Sequence, residues 1–123
     1  MRNAVVVAIV EDDVSVRESL PDLLNELGYA AQAFASAEEF LASVAVCDAR
    51  CLILDIGLPG MSGPDLRRDL IRRGFSIPTI FITGRADLGI AHGLLVGGGI
   101  ACLFKPFSDQ DLRAALDLAL PKN

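Results

Sequence analysis

Acidic residues, one threonine and one lysine directly follow short apolar runs of the chain. Six such residues follow four runs: Glu11, Asp12 and Asp13, then Asp55, then Thr83, and finally Lys105. Continuous runs of Val, Ile and Leu are typical of strands that are buried on both faces of a parallel sheet. The carboxyl ends of parallel strands meet at one edge of a sheet, where ligands bind. We therefore expect these six side chains to lie close together.

The chemistry of the set is that of a divalent cation beside a phosphate group. Several carboxylates at one edge repel one another, and Mg²⁺ takes oxygen ligands from carboxylates, waters and phosphates. Taken one at a time, the residues have simpler interpretations: Asp12 or Asp13 can cap the following helix, and Thr83 can satisfy a loop amide. Four such coincidences at four strand ends favour a shared site, in which Lys105 adds a compact positive charge.

The elements that must position this set alternate along the chain. Five strands are predicted over residues 4–10, 29–35, 51–54, 78–82 and 100–104. Five helices are predicted over residues 14–27, 36–46, 64–73, 86–96 and 108–120. Strict alternation of strands and helices predicts right-handed βαβ units and helices on both faces of a parallel sheet. The predicted fold class is therefore α/β, a doubly wound five-stranded parallel sheet with five helices.

Local signals support several of these boundaries. Ser36, three residues before Glu39, is typical of a capping box, and Ser108 is placed to cap the last helix. Pro21 lies inside the first helical pattern and predicts a disturbance there, since proline removes a backbone donor.

Length and charge limit the classes of function. The chain has 123 residues, which predicts one domain over residues 1–123, and a net charge of −5, which does not favour direct nucleic-acid binding. The apolar stretch 88–104 is too short and too rich in glycine to span a membrane. Three cysteines and a beginning without a signal-peptide pattern predict a cytoplasmic protein.

Four motifs resemble the receiver domain of two-component response regulators, and the resemblance to these chemotaxis-type phosphoacceptor proteins covers essentially the whole chain. The motifs are Val10-Glu11-Asp12-Asp13 with Arg17, Leu54-Asp55-Ile56-Gly57-Leu58-Pro59-Gly60-Met61-Ser62-Gly63, Ile82-Thr83-Gly84 and Lys105-Pro106-Phe107. The resemblance implies a flavodoxin-like fold with strand order 2-1-3-4-5 and a single receiver domain with no output domain in residues 1–123.

The resemblance also implies a role for each matching residue. Asp55 would be the phosphoacceptor and would take a phosphoryl group from a sensor histidine kinase or a phosphotransfer protein. Thr83 and Lys105 would bind phosphoryl oxygens, and the bond from Lys105 to Pro106 would be cis. The domain would catalyse only its own phosphorylation and dephosphorylation, so it would not be an enzyme acting on a separate substrate.

A magnesium site follows from the same resemblance. Asp12 and Asp55 would bind Mg²⁺ directly, Glu11 would bind it through water, and the backbone carbonyl of Gly57 would supply another ligand. Asp13 is left out of this set because it is better placed as a charge at the start of a helix.

The sequence departs from the family pattern on one face. Cys102 stands three residues before the lysine, where the family usually has an aromatic ring that reports phosphorylation, and residues 88–99 of the fourth helical region carry hardly any charge and are rich in glycine. We expect the face of the fourth helix, fifth strand and fifth helix to bind a downstream protein or a second copy of the chain. The alternative is that Leu94, Leu95 and Ile100 only fill the core.

Other properties and functions stay open or are disfavoured. Gly57 and Arg85 stand where the resemblance places the residues that tune the phosphoryl lifetime. Gly57 cannot shield the acyl phosphate, whereas Arg85 can either cover it or bind a carboxylate, so no lifetime is predicted. A phosphatase or dehalogenase with an aspartate nucleophile would need an acid where Gly57 stands. A nucleotide or flavin binder would need a phosphate-binding loop where Glu11 and Asp12 stand. A docking or dimerisation module of the same fold that works without phosphorylation remains the alternative.

Overall fold

One parallel sheet of five strands forms the centre of the molecule. The computed structural model describes residues 4–84 and 88–120. The strands are β1 (Val6–Val10), β2 (Ala30–Phe34), β3 (Cys51–Asp55), β4 (Thr79–Thr83) and β5 (Ala101–Phe104). They lie in the order β2-β1-β3-β4-β5, and all four pairings are parallel. The predicted doubly wound, flavodoxin-like sheet is confirmed.

Six helices lie between or after the strands within the described residues, one more than predicted. They are α1 (Val14–Glu26), α2 (Ala37–Leu41), α3 (Ala45–Asp48), α4 (Gly63–Arg72), α5 (Leu88–Val96) and α6 (Asp109–Ala119). The prediction of a single helix over residues 36–46 is wrong, because the chain breaks between α2 and α3. The Ser43 hydroxyl accepts a hydrogen bond from the Ala45 amide at 3.0 Å and so competes with a continuous helix.

Side-chain caps fix the starts of α2 and α6 at the serines that the sequence predicts as caps. Ser36 Oγ accepts from the Glu39 amide at 3.1 Å, and Ser108 forms a full capping box with Asp111. Helix α1 continues through Pro21, so the disturbance expected there does not end the helix.

The core lies in two layers, one on each face of the sheet. Alternate residues of a strand point to opposite faces, so Ile9 and Ile53 pack towards α1 and α6, while Ala8 and Leu54 pack towards α2 and α4. Every residue of β3 and β4 is buried. Buried strands on both sides of a site give it a frame that resists displacement.

Part of what the sequence predicts lies outside the described residues. This applies to Arg85, to the start of the fourth predicted helix at Ala86 and to residues 121–123. Within the described ranges, no helix has the length and apolar character that a membrane crossing requires.

Candidate functional site

The parallel register brings the ends of four strands to one edge of the sheet, here called the carboxyl edge. The Cα partners at these ends are Val10 with Leu54, Asp55 with Ile82, and Thr83 with Phe104. Glu11 continues directly from β1 and Lys105 from β5, and the Lys105 amide donates to the Thr83 carbonyl at 2.9 Å. The structure thus brings the residues predicted from four separate runs to a single edge.

Three carboxylates form a cluster at the carboxyl edge. Glu11, Asp12 and Asp55 each offer one oxygen, and these oxygens lie within 4.8 Å of one another. Glu11 is fully buried and Asp55 is 7% exposed, whereas Asp12 is open to solvent. Asp13 lies outside the cluster and caps α1, because its side chain accepts from the Ser15 amide at 2.9 Å. Both placements agree with the sequence predictions.

Lys105 supplies the positive charge that faces this cluster. Its Nζ lies 2.9 Å from Glu11 Oε1 and 3.4 Å from Asp55 Oδ2. The lysine side chain is 31% exposed, so it reaches the two buried acids from the solvent side. One ammonium group cannot neutralise three carboxylates, and the edge therefore keeps an excess of negative charge when all three are ionised.

The crowded charges shift the pKa values of Glu11, Asp55 and Lys105. Burial, together with a hydrogen bond to Asp55, raises the pKa of Glu11 to about 7 against the opposing effect of Lys105. Burial would also raise the pKa of Asp55, but hydrogen bonds from Glu11 and the Gly57 amide, together with Lys105, hold it below its usual value. Burial would lower the pKa of Lys105, and its two acidic partners outweigh burial and raise it. Asp55 is thus kept ionised, as a nucleophile must be.

The loop after β3 and the end of β4 complete the surroundings of Asp55. The Gly57 amide donates to Asp55 Oδ1 at 3.0 Å, which leaves Oδ2 towards Lys105. Thr83 is 1% exposed, and its hydroxyl donates to the Gly84 carbonyl at 3.2 Å. The predicted roles of the Gly57 carbonyl as a metal ligand and of the Thr83 hydroxyl as a phosphoryl contact stay predictions.

The donor set at the carboxyl edge suits a hard divalent cation. The three clustered groups are all carboxylates, and Mg²⁺ binds oxygen ligands while Zn²⁺ prefers sulfur and nitrogen. The buried Glu11 Oε1 accepts no hydrogen bond of good geometry within the described part of the chain, although it is ion-paired with Lys105. An acceptor with spare capacity beside two further carboxylates fits a bound Mg²⁺.

Two side chains that shape this edge were not given a role from the sequence. Arg17 Nη1 donates to the carbonyls of Glu11 and Asp12 at 3.0 and 2.9 Å, so it ties down the loop after β1. Glu38 accepts from the Met61 amide at 3.2 Å. Arg17 belongs to the quoted motif, but no signal in the sequence points to Glu38, because the amide it binds exists at every residue except proline.

The structure also tests the predictions made for residues on and near β5. The peptide bond between Lys105 and Pro106 is cis, as expected. Cys102 is half-buried on β5 and packs with Leu94 against the core. Ile100 also packs against the core, whereas Leu95 is 41% exposed. Core filling therefore accounts for Leu94 and Ile100 but not for Leu95.

Comparison with known proteins gives one consistent family. Residues 7–117 match the family described as "Response regulator receiver domain". Nodulation protein W of Bradyrhizobium diazoefficiens is 42% identical over 118 residues, and the match covers 96% of this chain and 52% of that protein. Response regulator protein TmoT of Ectopseudomonas mendocina is 41% identical over 115 residues, with 94% and 52% covered. The chain therefore spans about half the length of these curated relatives.

A solved structure gives the same result for the fold. The crystal structure titled FixJ-N has a TM-score of 0.83 and 36% sequence identity, and the match covers 97% of this chain and 94% of that one. The match in fold extends over the same strands that carry the acidic cluster. With the family match over residues 7–117, it follows that this chain belongs to the response regulator receiver domain family.

Proposed function

We propose that this chain accepts a phosphoryl group on Asp55 from a sensor histidine kinase or a phosphotransfer protein of a two-component phosphorelay. One observation carries the proposal. Asp55 is held ionised at the carboxyl edge, between two further carboxylates and the ammonium group of Lys105. An aspartate with this environment is both a nucleophile and a metal ligand.

The transfer needs little covalent machinery from the protein. An oxygen of Asp55 attacks the phosphorus atom, the new O–P bond forms as the P–N bond to the donor histidine breaks, and the histidine keeps the electron pair. The product is an acyl phosphate whose phosphoryl oxygens carry about two negative charges, in place of the single charge of the Asp55 carboxylate. Lys105 Nζ already lies 3.4 Å from Asp55 Oδ2, so it is placed to pair with a phosphoryl oxygen. Thr83, buried at the end of β4, is proposed to donate to another.

Magnesium is the cofactor that the acidic cluster would hold. Asp12 and Asp55 are proposed as direct ligands, with Glu11 acting through water and Gly57 through its carbonyl. When bound, Mg²⁺ neutralises phosphate charge and orients the group for in-line transfer. Glu11 would keep the lysine and the water shell in place, because its fully buried carboxylate contacts Lys105 at 2.9 Å.

A groove beside Lys105 offers the phosphodonor a docking surface. The groove has a volume of about 680 Å³ and lies between α1 and the loop that precedes α6. Its floor is partly apolar, with Leu20 and Phe107, and its rim carries the acids Asp22, Glu26 and Asp109. A donor must bring its phosphohistidine to Asp55, so its surface must adjoin the carboxyl edge. The acidic rim favours a donor whose docking helix carries basic residues.

The face formed by α5, β5 and α6 is proposed to transmit the phosphorylation state to a downstream protein or to a second copy of the chain. Ile90, Val96 and Leu118 on α5 and α6 are 51%, 75% and 65% exposed. A phosphoryl group can shift this face only by favouring one of two existing conformations. With a net charge of −5, the chain is not proposed to contact nucleic acid directly. A kinase-coupled acceptor of this kind would work in the cytoplasm.

The exposed apolar side chains on the same face also fit the alternative function, a docking or dimerisation module that works without phosphorylation. A module that docks or dimerises through α5, β5 and α6 without phosphorylation would need that face but not the charged cluster. The retained cluster of Glu11, Asp12, Asp55 and Lys105 favours the phosphoacceptor.

The deciding experiment is incubation with a small-molecule phosphodonor and Mg²⁺, followed by intact-mass measurement. We expect wild type to gain the mass of one phosphoryl group, and Asp55→Asn to gain none. The matched control is Asp65→Asn, which removes an exposed acid that pairs with Arg68 within α4 and should leave phosphorylation unchanged. No adduct on wild type with any donor would leave only the docking module, and an adduct on Asp55→Asn would place the acceptor elsewhere.

A further inference from the structure

Glu38 makes a contact that joins helix α2 to the loop carrying the proposed metal ligand Gly57. Glu38 Oε2 accepts a hydrogen bond from the Met61 amide at 3.2 Å, across 23 residues of sequence. Within the part of the chain that the structure describes, this is the hydrogen bond that links the loop to α2. The other bonds of the loop lie close to β3 and β4 (Gly57 to Asp55, Ile56 to Ile82, and Gly63 to Ile56) or cap the following helix α4 through Ser62.

The loop is shaped to receive the Glu38 carboxylate. Gly60 has a φ of +74°, and a Cβ atom there would lie 3.1 Å from Glu38 Oε2. A side chain at this position would be strained by the backbone conformation and would also press on the carboxylate. The carboxylate therefore lies directly against the backbone of Gly60 as well as accepting from Met61.

The helix that carries Glu38 is itself fixed in the core. Helix α2 begins at the Ser36 cap, and its residues Ala37 and Phe40 are fully buried. The Phe40 ring packs edge-on against Phe34 of β2, with the ring centroids 5.4 Å apart. Because Phe34 accepts the backbone bond from the Glu11 amide at 3.0 Å, α2 is built on the same frame as the acidic cluster.

We propose that Glu38 is a positioning residue for the phosphoacceptor site: it holds the loop after β3 so that the Gly57 backbone is presented to the cation and to Asp55. This inference rests on the proposed function. Glu38 itself lies outside the acidic cluster formed by Glu11, Asp12 and Asp55, so its carboxylate acts through the loop.

The test compares three variants in the full chain: Glu38→Ala, Glu38→Gln and Glu39→Ala. Glu38→Gln keeps a carbonyl oxygen that can accept from Met61 but removes the charge, whereas Glu38→Ala removes both. Glu39→Ala removes the neighbouring exposed acid of α2 and is the control. The readouts are the Mg²⁺ concentration for half-maximal phosphorylation by a small phosphodonor and the exchange rate of the Met61 amide.

We expect Glu38→Ala to raise the half-maximal Mg²⁺ concentration about five-fold, the loss that one net hydrogen bond accounts for. The Met61 amide should exchange faster by a similar factor, and the maximal rate at saturating Mg²⁺ should fall less than two-fold. Glu38→Gln should recover most of both effects, and Glu39→Ala should behave as wild type.

Two results would overturn the positioning role while leaving the phosphoacceptor intact. One is a Glu38→Ala variant that matches wild type in Mg²⁺ dependence. The other is a Glu38→Gln variant that is as impaired as Glu38→Ala, since that would assign the effect to charge. Failure of wild type to take up any phosphoryl group would overturn the proposed function and this inference together.

Discussion

The carboxyl edge and helix α5 are neighbouring regions that are stabilised by very different means. At the carboxyl edge, Asp55 ends a strand whose residues are all buried, and its charge is balanced by Lys105. Helix α5 carries no Asp, Glu, Lys or Arg between Leu88 and Val96, contains Gly89 and Gly93, and leaves Ile90 and Val96 mostly exposed.

Few described contacts hold α5 in place. Leu94 packs against the core, and Arg67 of α4 donates from Nη1 to the Gly97 carbonyl at 3.2 Å. A cation at that position also interacts favourably with the negative end of the helix dipole. The comparison indicates that the carboxyl edge, where charged groups must be held in position, is the more rigid region. Helix α5, part of the proposed output face, has lower local stability. Segments that change conformation are generally drawn from this low-stability end.

Thiol reactivity should give the largest contrast between β3, the strand that ends in Asp55, and β5, the strand that contacts α5. Cys51 begins β3, is fully buried, and burial raises its pKa to about 12, whereas Cys102 lies half-buried with Leu94 of α5. In a Cys47→Ser background, which removes the exposed thiol, we expect Cys102 to react with a thiol reagent at least about 100-fold faster than Cys51. The reason is that the Cys51 thiol becomes accessible to the reagent only on global unfolding, whereas the Cys102 thiol becomes accessible on local opening. Mass mapping of the labelled peptides measures both rates, and equal rates would remove the contrast.

The same substitution should have opposite effects in the two regions. In Gly63→Ala the new Cβ would lie 2.3 Å from the Asp55 carbonyl oxygen, so the free energy of unfolding should fall by about 3 kcal/mol. In Gly93→Ala the new Cβ meets nothing within 4 Å, so the free energy of unfolding should rise by up to about 1 kcal/mol. Urea unfolding of both variants measures the two signs. Loss of stability in Gly93→Ala would mean that α5 is packed more closely than described.

Removing one buried charge from the carboxyl edge should stabilise the metal-free protein. Glu11→Gln keeps the shape of the fully buried side chain, and we expect the free energy of unfolding in EDTA to rise by about 1 kcal/mol at pH 8. The pKa of Glu11 is raised to about 7, so its contribution to wild-type stability is complete below about pH 4.5 and is lost as the pH rises through 7.

The gap between Glu11→Gln and wild type should therefore widen between pH 5 and pH 8. Added Mg²⁺ should stabilise wild type more than the variant. Glu18→Gln, an exposed change on α1, is the control and should show neither effect. A variant less stable than wild type at pH 8 would mean that the bond to Lys105 outweighs the repulsion.

The smallest effect is expected from the contact that holds the end of α5. Arg67→Met keeps the apolar stem but loses the bond to the Gly97 carbonyl, which should cost about 0.5 kcal/mol locally. Amide exchange in the last turn of α5 should become two- to three-fold faster by that estimate, with little change in global stability. Arg68→Met is the control, because Arg68 pairs with Asp65 inside α4. Equal exchange in both variants would show that Arg67 does not hold α5.

The sequence predicts best what depends on patterns along the chain. Buried strands such as β3 and β4 appear as apolar runs, and the residue after each run is therefore placed at the carboxyl edge without knowledge of any contact. Asp13 and Ser108 were correctly predicted as helix caps because capping depends on a spacing of two or three residues.

What the sequence could not predict depends on contacts between distant segments. Glu38 binds the backbone amide of Met61, 23 residues away, and Arg67 binds the backbone carbonyl of Gly97, 30 residues away. Such backbone groups are present whatever the residue type, so nothing in the sequence indicates either contact. The break between α2 and α3 was missed because Ser43 fits a helical pattern as well as a cap. The predicted site residues come directly after four apolar runs, whereas β2 is followed by Ala35 and Ser36, so the same pattern does not point to Glu38.

The opposite edge of the sheet has a practical consequence for protein engineering. Gly74, in the turn between α4 and β4, is exposed and has no neighbouring atom within 4 Å of an added Cβ. Every residue proposed to bind phosphate or metal lies at the far end of a strand or just after it. A reporter domain or an affinity tag inserted at Gly74 should therefore leave the chemistry intact, because insertions in exposed turns are tolerated. The fold thus separates a face for chemistry from a face on which new modules can be mounted.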